Sequence, residues 1–323
     1  MVEPLGRRIE RKLVEWGAIP VGGAGRACVL MYHGVGDPGS DRTNVRHIGS
    51  DVFRHHLALF KAHFHVVSLE ALFAGERSPD RLTVALTFDD GARNLLTHAL
   101  PLLEEQEVPA SFFVTGANPL GLRILWGDLL DLSEGHTDQD LVIGGERFRK
   151  NTLGRYQAEH GGILLRDRIK AAGTFAMKAE LYARLEHLID GPLQRERTLW
   201  ELLSDRELHD LAAHPLIELG AHGWAHNDMG RIPPEDAESE LKNIAAYLSG
   251  LTGRPVRSLA WPSGSYSRRN VEDAAALGFV HQLAVDLRHA EDAADPRIRE
   301  RYGVYHFPVH DRFLLHLIAR TAR

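Results

Sequence analysis

Short apolar runs rich in β-branched and aromatic residues recur at residues 29–33, 66–69, 83–88, 111–114, 217–221, 258–261, 282–285 and 305–309, with helical stretches between them. A strand that crosses through a helix before meeting the next strand returns parallel to the first, so this pattern demands a parallel sheet covered by helices. The clearest helix spans 235–251, with apolar residues on one face and Gly253-Arg254-Pro255 as its stop. A chain of 323 residues with 44% hydrophobic content can bury a large core, and barrels of roughly 200–250 residues form single domains.

Residues 131–200 break the alternation. Leu141 to Phe148 reads as a tight hairpin turning at Gly144-Gly145, and 165–188 reads as charged and helical. The stretch is expected to be a mainly helical insertion over one side of a cleft, either shaping specificity or serving as a structural cap or oligomer contact. Arg149, Lys150, Arg155 and Lys170 within it read as solvated charges. Residues 1–26 form an N-terminal extension in which Arg7, Arg8, Arg11 and Lys12 alternate with Ile9, Leu13, Val14 and Trp16. That pattern fits an amphipathic helix packed on a barrel or resting on a membrane surface. It lacks the apolar core and cleavage site of an export signal, and no run of eighteen apolar residues occurs, so a cytoplasmic location is expected.

The balance of 38 basic and 44 acidic residues, net −6, contains no basic stripe for nucleic acid. It suits a neutral or amine-bearing ligand better than a polyphosphate. The single cysteine, Cys28, excludes an intrachain disulfide and reads as a buried strand residue.

Two constellations carry chemistry. Thr87-Phe88-Asp89-Asp90-Gly91 ends an apolar run with adjacent carboxylates, an unfavourable pair unless a cation or shared proton compensates them. As the chain leaves the sheet the two point in different directions, so one can ligate a metal while the other takes a proton from water. A turn capping the next helix is the plainer reading. His222-Gly223-Trp224-Ala225-His226 follows a short strand, and a turn opened by Gly223 can bring both rings to one ion. With Asp90 as third ligand, two histidines give the open donor set of a catalytic zinc site. The alternative is chance among nineteen histidines.

These two segments resemble the first two motifs of the polysaccharide deacetylases, the NodB-homology or carbohydrate esterase family 4 enzymes. Val29-Leu30-Met31-Tyr32-His33-Gly34-Val35 resembles the opening strand of the exopolysaccharide-deacetylating branch. Val108-Pro109-Ala110-Ser111-Phe112-Phe113-Val114 resembles the strand after the aspartate motif. Leu259-Ala260-Trp261-Pro262-Ser263-Gly264-Ser265-Tyr266 resembles the third motif in its proline-x-glycine form. The likeness covers about 27–130 and 200–310, in family order.

The resemblance implies a distorted, incomplete (β/α) barrel with its site at the C-terminal strand ends. It implies that Asp89 is the general base, that Asp90, His222 and His226 hold a divalent metal, and that His33 is the general acid, with His306 as rival donor or substrate contact. Zinc suits that donor set, and cobalt, nickel and iron also accept it. Ser263 would offer its backbone amide to the oxyanion, with Trp261 and Tyr266 nearby as substrate contacts. The arginine that commonly opens the third motif is replaced by Ala260, so another group must orient Asp89. The expected activity is hydrolysis of N-acetyl groups on amino sugars of a polysaccharide or glycolipid precursor. An O-acetyl esterase and a non-catalytic glycan-binding relative are the alternatives.

Overall fold

The computed structural model describes residues 5–42, 44–172, 175–305 and 310–323. Seven parallel strands close into a barrel: β1 (Ala27–Tyr32), β2 (Thr83–Phe88), β3 (Ala110–Val114), β4 (Ile217–Ala221), β5 (Ser258–Ala260), β6 (His281–Ala284) and β7 (Ile298–Gly303). Consecutive strands pair around the ring, and β7 closes it on β1 with Val29 opposite Arg301. This is the implied incomplete barrel, one strand short of eight. Its distortion lies at β2, whose far edge is divided. The two-residue strand His65–Val66 pairs with Thr83 and Val84, and β3 pairs with Leu86, Thr87 and Phe88.

Alternation explains why these segments are strands. Val29, Ala85, Phe113, Ala260 and Leu283 fill the barrel, while Leu30, Leu86, Phe112, Leu219 and Leu259 face the layer under the helices. Strands buried on both faces read as unbroken apolar runs. The last strand does not, and no expected run covers it. β7 begins at Ile298, and its inward positions carry Arg299, over the Phe73 ring at 5.5 Å, and Arg301, over Phe113 at 5.9 Å. Tyr305 follows this strand, and past it the strand expected at 305–309 falls outside the described residues. The strand expected at 66–69 stops at Val66, because Ser68 accepts from Ala71 N (3.1 Å) and caps the helix Leu69–Phe73. Cys28 lies buried on β1, its thiol pushed up to about 11 by burial, which outweighs the opposing hydrogen bond with Thr321.

Helix α1 (Leu5–Glu15) packs on the C-terminal helix Asp311–Thr321, where Glu10 meets His316 (3.1 Å) and Arg320 (2.6 Å). Val14 is fully covered, whereas Ile9, Leu13 and Trp16 stay exposed. Between β3 and β4 lie α2 (Trp126–Ser133), a three-stranded antiparallel sheet (Leu141–Ile143, Glu146–Lys150, Tyr156–Ala158), α3 (Leu165–Ala172) and α4 (Ala176–Leu185). The hairpin turns at Gly144 (φ 59°) and Gly145 (φ 75°), a left-handed pair that glycine alone adopts without strain. This connection has its own apolar cluster around Trp126, Phe148, Leu165 and Leu181. Helix α5 (Pro234–Thr252) ends at Gly253 (φ 67°), where the sequence places its stop.

Candidate active site

The two carboxylates diverge because the backbone changes hand between them. Asp89 N still donates to Tyr32 O (3.0 Å), extending the ladder, so the Asp89 side chain follows Thr87 toward the barrel mouth. Asp90 is left-handed (φ 76°), as is Gly91 (φ 74°). Of four non-glycine residues with positive φ among the described residues, Asp90, His226 and Ser263 all belong to this site, so backbone strain is concentrated there.

His222 leaves β4 beside the inward Gly220, where any Cβ would strike the Phe113 ring at 2.4 Å. Its Nδ1 donates to Ala260 O (2.9 Å), which directs the Nε2 lone pair toward Asp90. Gly223 (φ 76°) opens the expected turn and brings His226 back. The two Nε2 atoms stand 3.5 and 3.4 Å from Asp90 Oδ1, and one donor atom from each of the three residues lies within 4.8 Å of the others. Burial drives the His222 imidazole down to about 4, so it is neutral near pH 7 and able to ligate. Burial raises Asp90, but the hydrogen bond and charge of His226 outweigh it and hold the carboxyl well below its usual range. Two imidazoles and one carboxylate are a donor set that fits a divalent ion with open positions.

Arg301 supplies what Ala260 does not. Its Nη1 and Nη2 donate to Asp89 Oδ1 (2.7 Å) and Oδ2 (2.8 Å), a bidentate clamp that also reaches Thr87 Oγ1 (3.3 Å). Burial raises Asp89, but the Arg301 charge, then His222, keep its carboxyl below the ordinary value. The missing orienting arginine was a visible signal, yet its replacement sits on a strand without an apolar run. His33 stands past the end of β1 beside Tyr305 (ring centroids 6.4 Å apart), and its Nδ1 is buried without a partner among the described residues. Burial lowers His33, partly offset by Asp90 and Asp89.

The β3–β4 connection reaches into this centre, through contacts with no sequence signal. Arg46 is ion-paired with Asp128 of α2 and lies 3.7 Å from Asp90 Oδ2. From α4, the buried Lys178 donates to His226 O (2.8 Å) and Asn227 Oδ1 (2.5 Å). Glu240 completes the cradle of the His222–His226 loop, accepting from Trp224 N (2.8 Å), Ala225 N (3.0 Å) and Asn227 Nδ2 (3.0 Å).

The cleft is lined by His33, Asp89, Asp90, His222, His226, Trp261, Ser263, Arg301 and Tyr305, together with Trp126, Arg166 and Lys170 of the connection. Trp261 is fully buried and stacks on Tyr266 at 5.6 Å, so it forms floor more than surface. Tyr266, expected as a substrate contact, is instead turned away: its hydroxyl donates to Asp292 Oδ2 (2.6 Å) and it does not line the cleft. Lys170, read from sequence as solvated, faces the cleft because α3 lies across its side. His306 lies outside the described residues.

Solved structures share this fold. IcaB from Ammonifex degensii is 18% identical, with a TM-score of 0.55 over 92% of this chain and 98% of that one. The Streptococcus pyogenes deacetylase PplD, solved with acetate, is 16% identical, with a TM-score of 0.53 over 90% and 96%. A de-N-acetylase from Aggregatibacter actinomycetemcomitans is 14% identical, with a TM-score of 0.54 over 90% and 99%. No curated protein sequence gives a significant match. The polysaccharide deacetylase family profile matches residues 76–125 and 173–281. The chain belongs to the NodB-type polysaccharide deacetylases. Its class is that of hydrolases acting on acetyl groups, for which the family implies an acetylated glycan substrate and generally a divalent metal. Among the described residues no helix is long and apolar enough to cross a membrane.

Proposed function

We propose that the protein is a metal-dependent N-deacetylase of amino sugars in a polysaccharide or glycolipid precursor, as in exopolysaccharide deacetylation. The observation that carries this reading is the convergence of Asp90, His222 and His226 beside a second carboxylate, Asp89, held separately by Arg301. A divalent ion bound by those three residues, zinc first among candidates, would lower the pKa of water toward about 7 and polarise the acetyl carbonyl. Asp89 takes the proton from the attacking water, kept ionised and aimed by Arg301. The Ser263 amide faces the developing oxyanion, and His33 gives a proton to the departing amine, without which an amide nitrogen is a poor leaving group.

The test is acetate release from N-acetylglucosamine oligomers by metal-stripped protein, before and after zinc or cobalt is restored. Release only in the restored samples is expected. Release that survives stripping would sink the metal-dependent reading.

Lys178 bears on the same centre from outside it. Removing its ammonium frees the His226 carbonyl and Asn227, loosening one ligand's loop, so Lys178→Met should weaken metal binding by about 10–100-fold. Competition with a chromophoric chelator measures this. Unchanged affinity in a folded variant would make Lys178 a packing residue only.

A further inference from the structure

The cleft holds one cation more than its carboxylates pair. Arg301 is clamped to Asp89, Arg46 is paired with Asp128, and Arg166 is paired with Asp131 while also donating to Gly127 O (3.0 Å). Asp90 belongs to the His222–His226 group. Lys170, half-buried on the same cleft wall, has no hydrogen-bond or ion-pair partner among the described residues. Four residues apart on α3, Arg166 and Lys170 project from one face of that helix. Arg166 also lies 5.5 Å over the Trp126 ring, which lines the cleft beside it.

We propose that Arg166 and Lys170 form a subsite for an oxyanion carried by the substrate, a phosphoryl or carboxylate group close to the N-acetyl sugar. The proposal rests on the N-deacetylase reading of the neighbouring centre and narrows its substrate class. Arg166 is already fixed by Asp131, Gly127 and Trp126, so its fork is preorganised, while Lys170 is a mobile point charge that adapts to the ligand. A neutral glycan seated here would offer the Lys170 ammonium hydroxyl and carbonyl acceptors but no counter-charge, whereas an oxyanion supplies the stronger, charge-assisted hydrogen bond. The overall charge of −6 does not oppose this, because a bound group feels the nearby cations far more than screened charges beyond about 10 Å.

Three probes separate the possibilities: a neutral N-acetylglucosamine tetramer, N-acetylglucosamine 1-phosphate, and a tetrasaccharide alternating N-acetylglucosamine with glucuronate. KM for acetate release is measured for each with the metal-restored wild type and with Lys170→Gln. The expected result is that the substitution raises KM for an anionic probe about fivefold relative to the neutral probe, with kcat little changed. The probe that responds tells phosphoryl from carboxylate. An unchanged ratio for both anionic probes overturns the proposal. Calorimetric binding of the same probes to Asp89→Asn protein keeps the two readings apart. Lys170-dependent anion binding without acetate release from any probe sustains the subsite and defeats the deacetylase reading. Release without Lys170 dependence does the reverse.

Discussion

Asp89→Asn should lower acetate release by about 10²–10⁴-fold while leaving the metal bound. Asparagine fills the same space and still accepts from Arg301 through one oxygen, but it cannot take a proton from water. The proposed metal donors Asp90, His222 and His226 are untouched, so chelator competition should give the wild-type affinity. Loss of metal together with activity would mean that Asp89 ligates instead of acting as base. An activated acetyl ester sharpens the assignment, since its leaving group needs no proton. Its turnover should still fall in Asp89→Asn and be nearly indifferent to His33→Ala, whereas amide turnover should fall in both.

Arg301→Met should destabilise the protein by about 3–5 kcal/mol near neutral pH, because the Asp89 carboxylate is left buried without its counter-charge. The pH dependence separates a charge effect from lost packing. In the wild type the folded-state pKa of Asp89 is depressed, so the pair's contribution is present above the unfolded value of about 3.9 and is lost as pH falls through the folded one. Without Arg301, burial dominates and the folded pKa rises above 3.9, so the variant loses further stability as pH climbs through that interval. The stability gap should therefore be narrower at pH 4 than at pH 7.5 in urea unfolding of metal-free protein. An equal gap at both pH values would reduce Arg301 to a space-filling role. Acetate release should fall as well, since a misaimed or protonated Asp89 cannot serve as base.

The two motifs that announce the centre were legible because each is a short local pattern: a carboxylate pair at a strand end, and two histidines around a glycine turn. The structure brings Asp89, Asp90, His222 and His226 together, and the apolar runs at 29–33, 83–88, 111–114, 217–221, 258–261 and 282–285 each overlap a barrel strand, whereas the run at 66–69 gives way to a helix after Val66. What stayed hidden depends on distant segments. Arg301 lies on a strand whose inward face is basic, so β7 carries no apolar signal and no expected run covers it. Lys178 and Arg46 look like ordinary surface cations until α4 and α2 fold across the cleft and bury their partners. Tyr266 illustrates the converse. It stands in a motif, yet its hydroxyl is bound to Asp292, a residue with no motif of its own.

Ring closure through β1 and β7 also sets the order in which the parts come into being. β7 pairs with β1 through Val29, Leu30 and Met31, so one of the first strands of the barrel to be synthesised finds this neighbour only after every other barrel strand has been made. Until then β1 presents an unpaired edge to other chains, a hazard that lasts while the rest of the barrel is made. The three proposed metal donors all lie within the first 226 residues, whereas the arginine clamped to Asp89 comes at position 301. A growing chain can thus gather the proposed ligands before it owns the arginine that directs the proposed base, which comes only with the seam that seals the barrel.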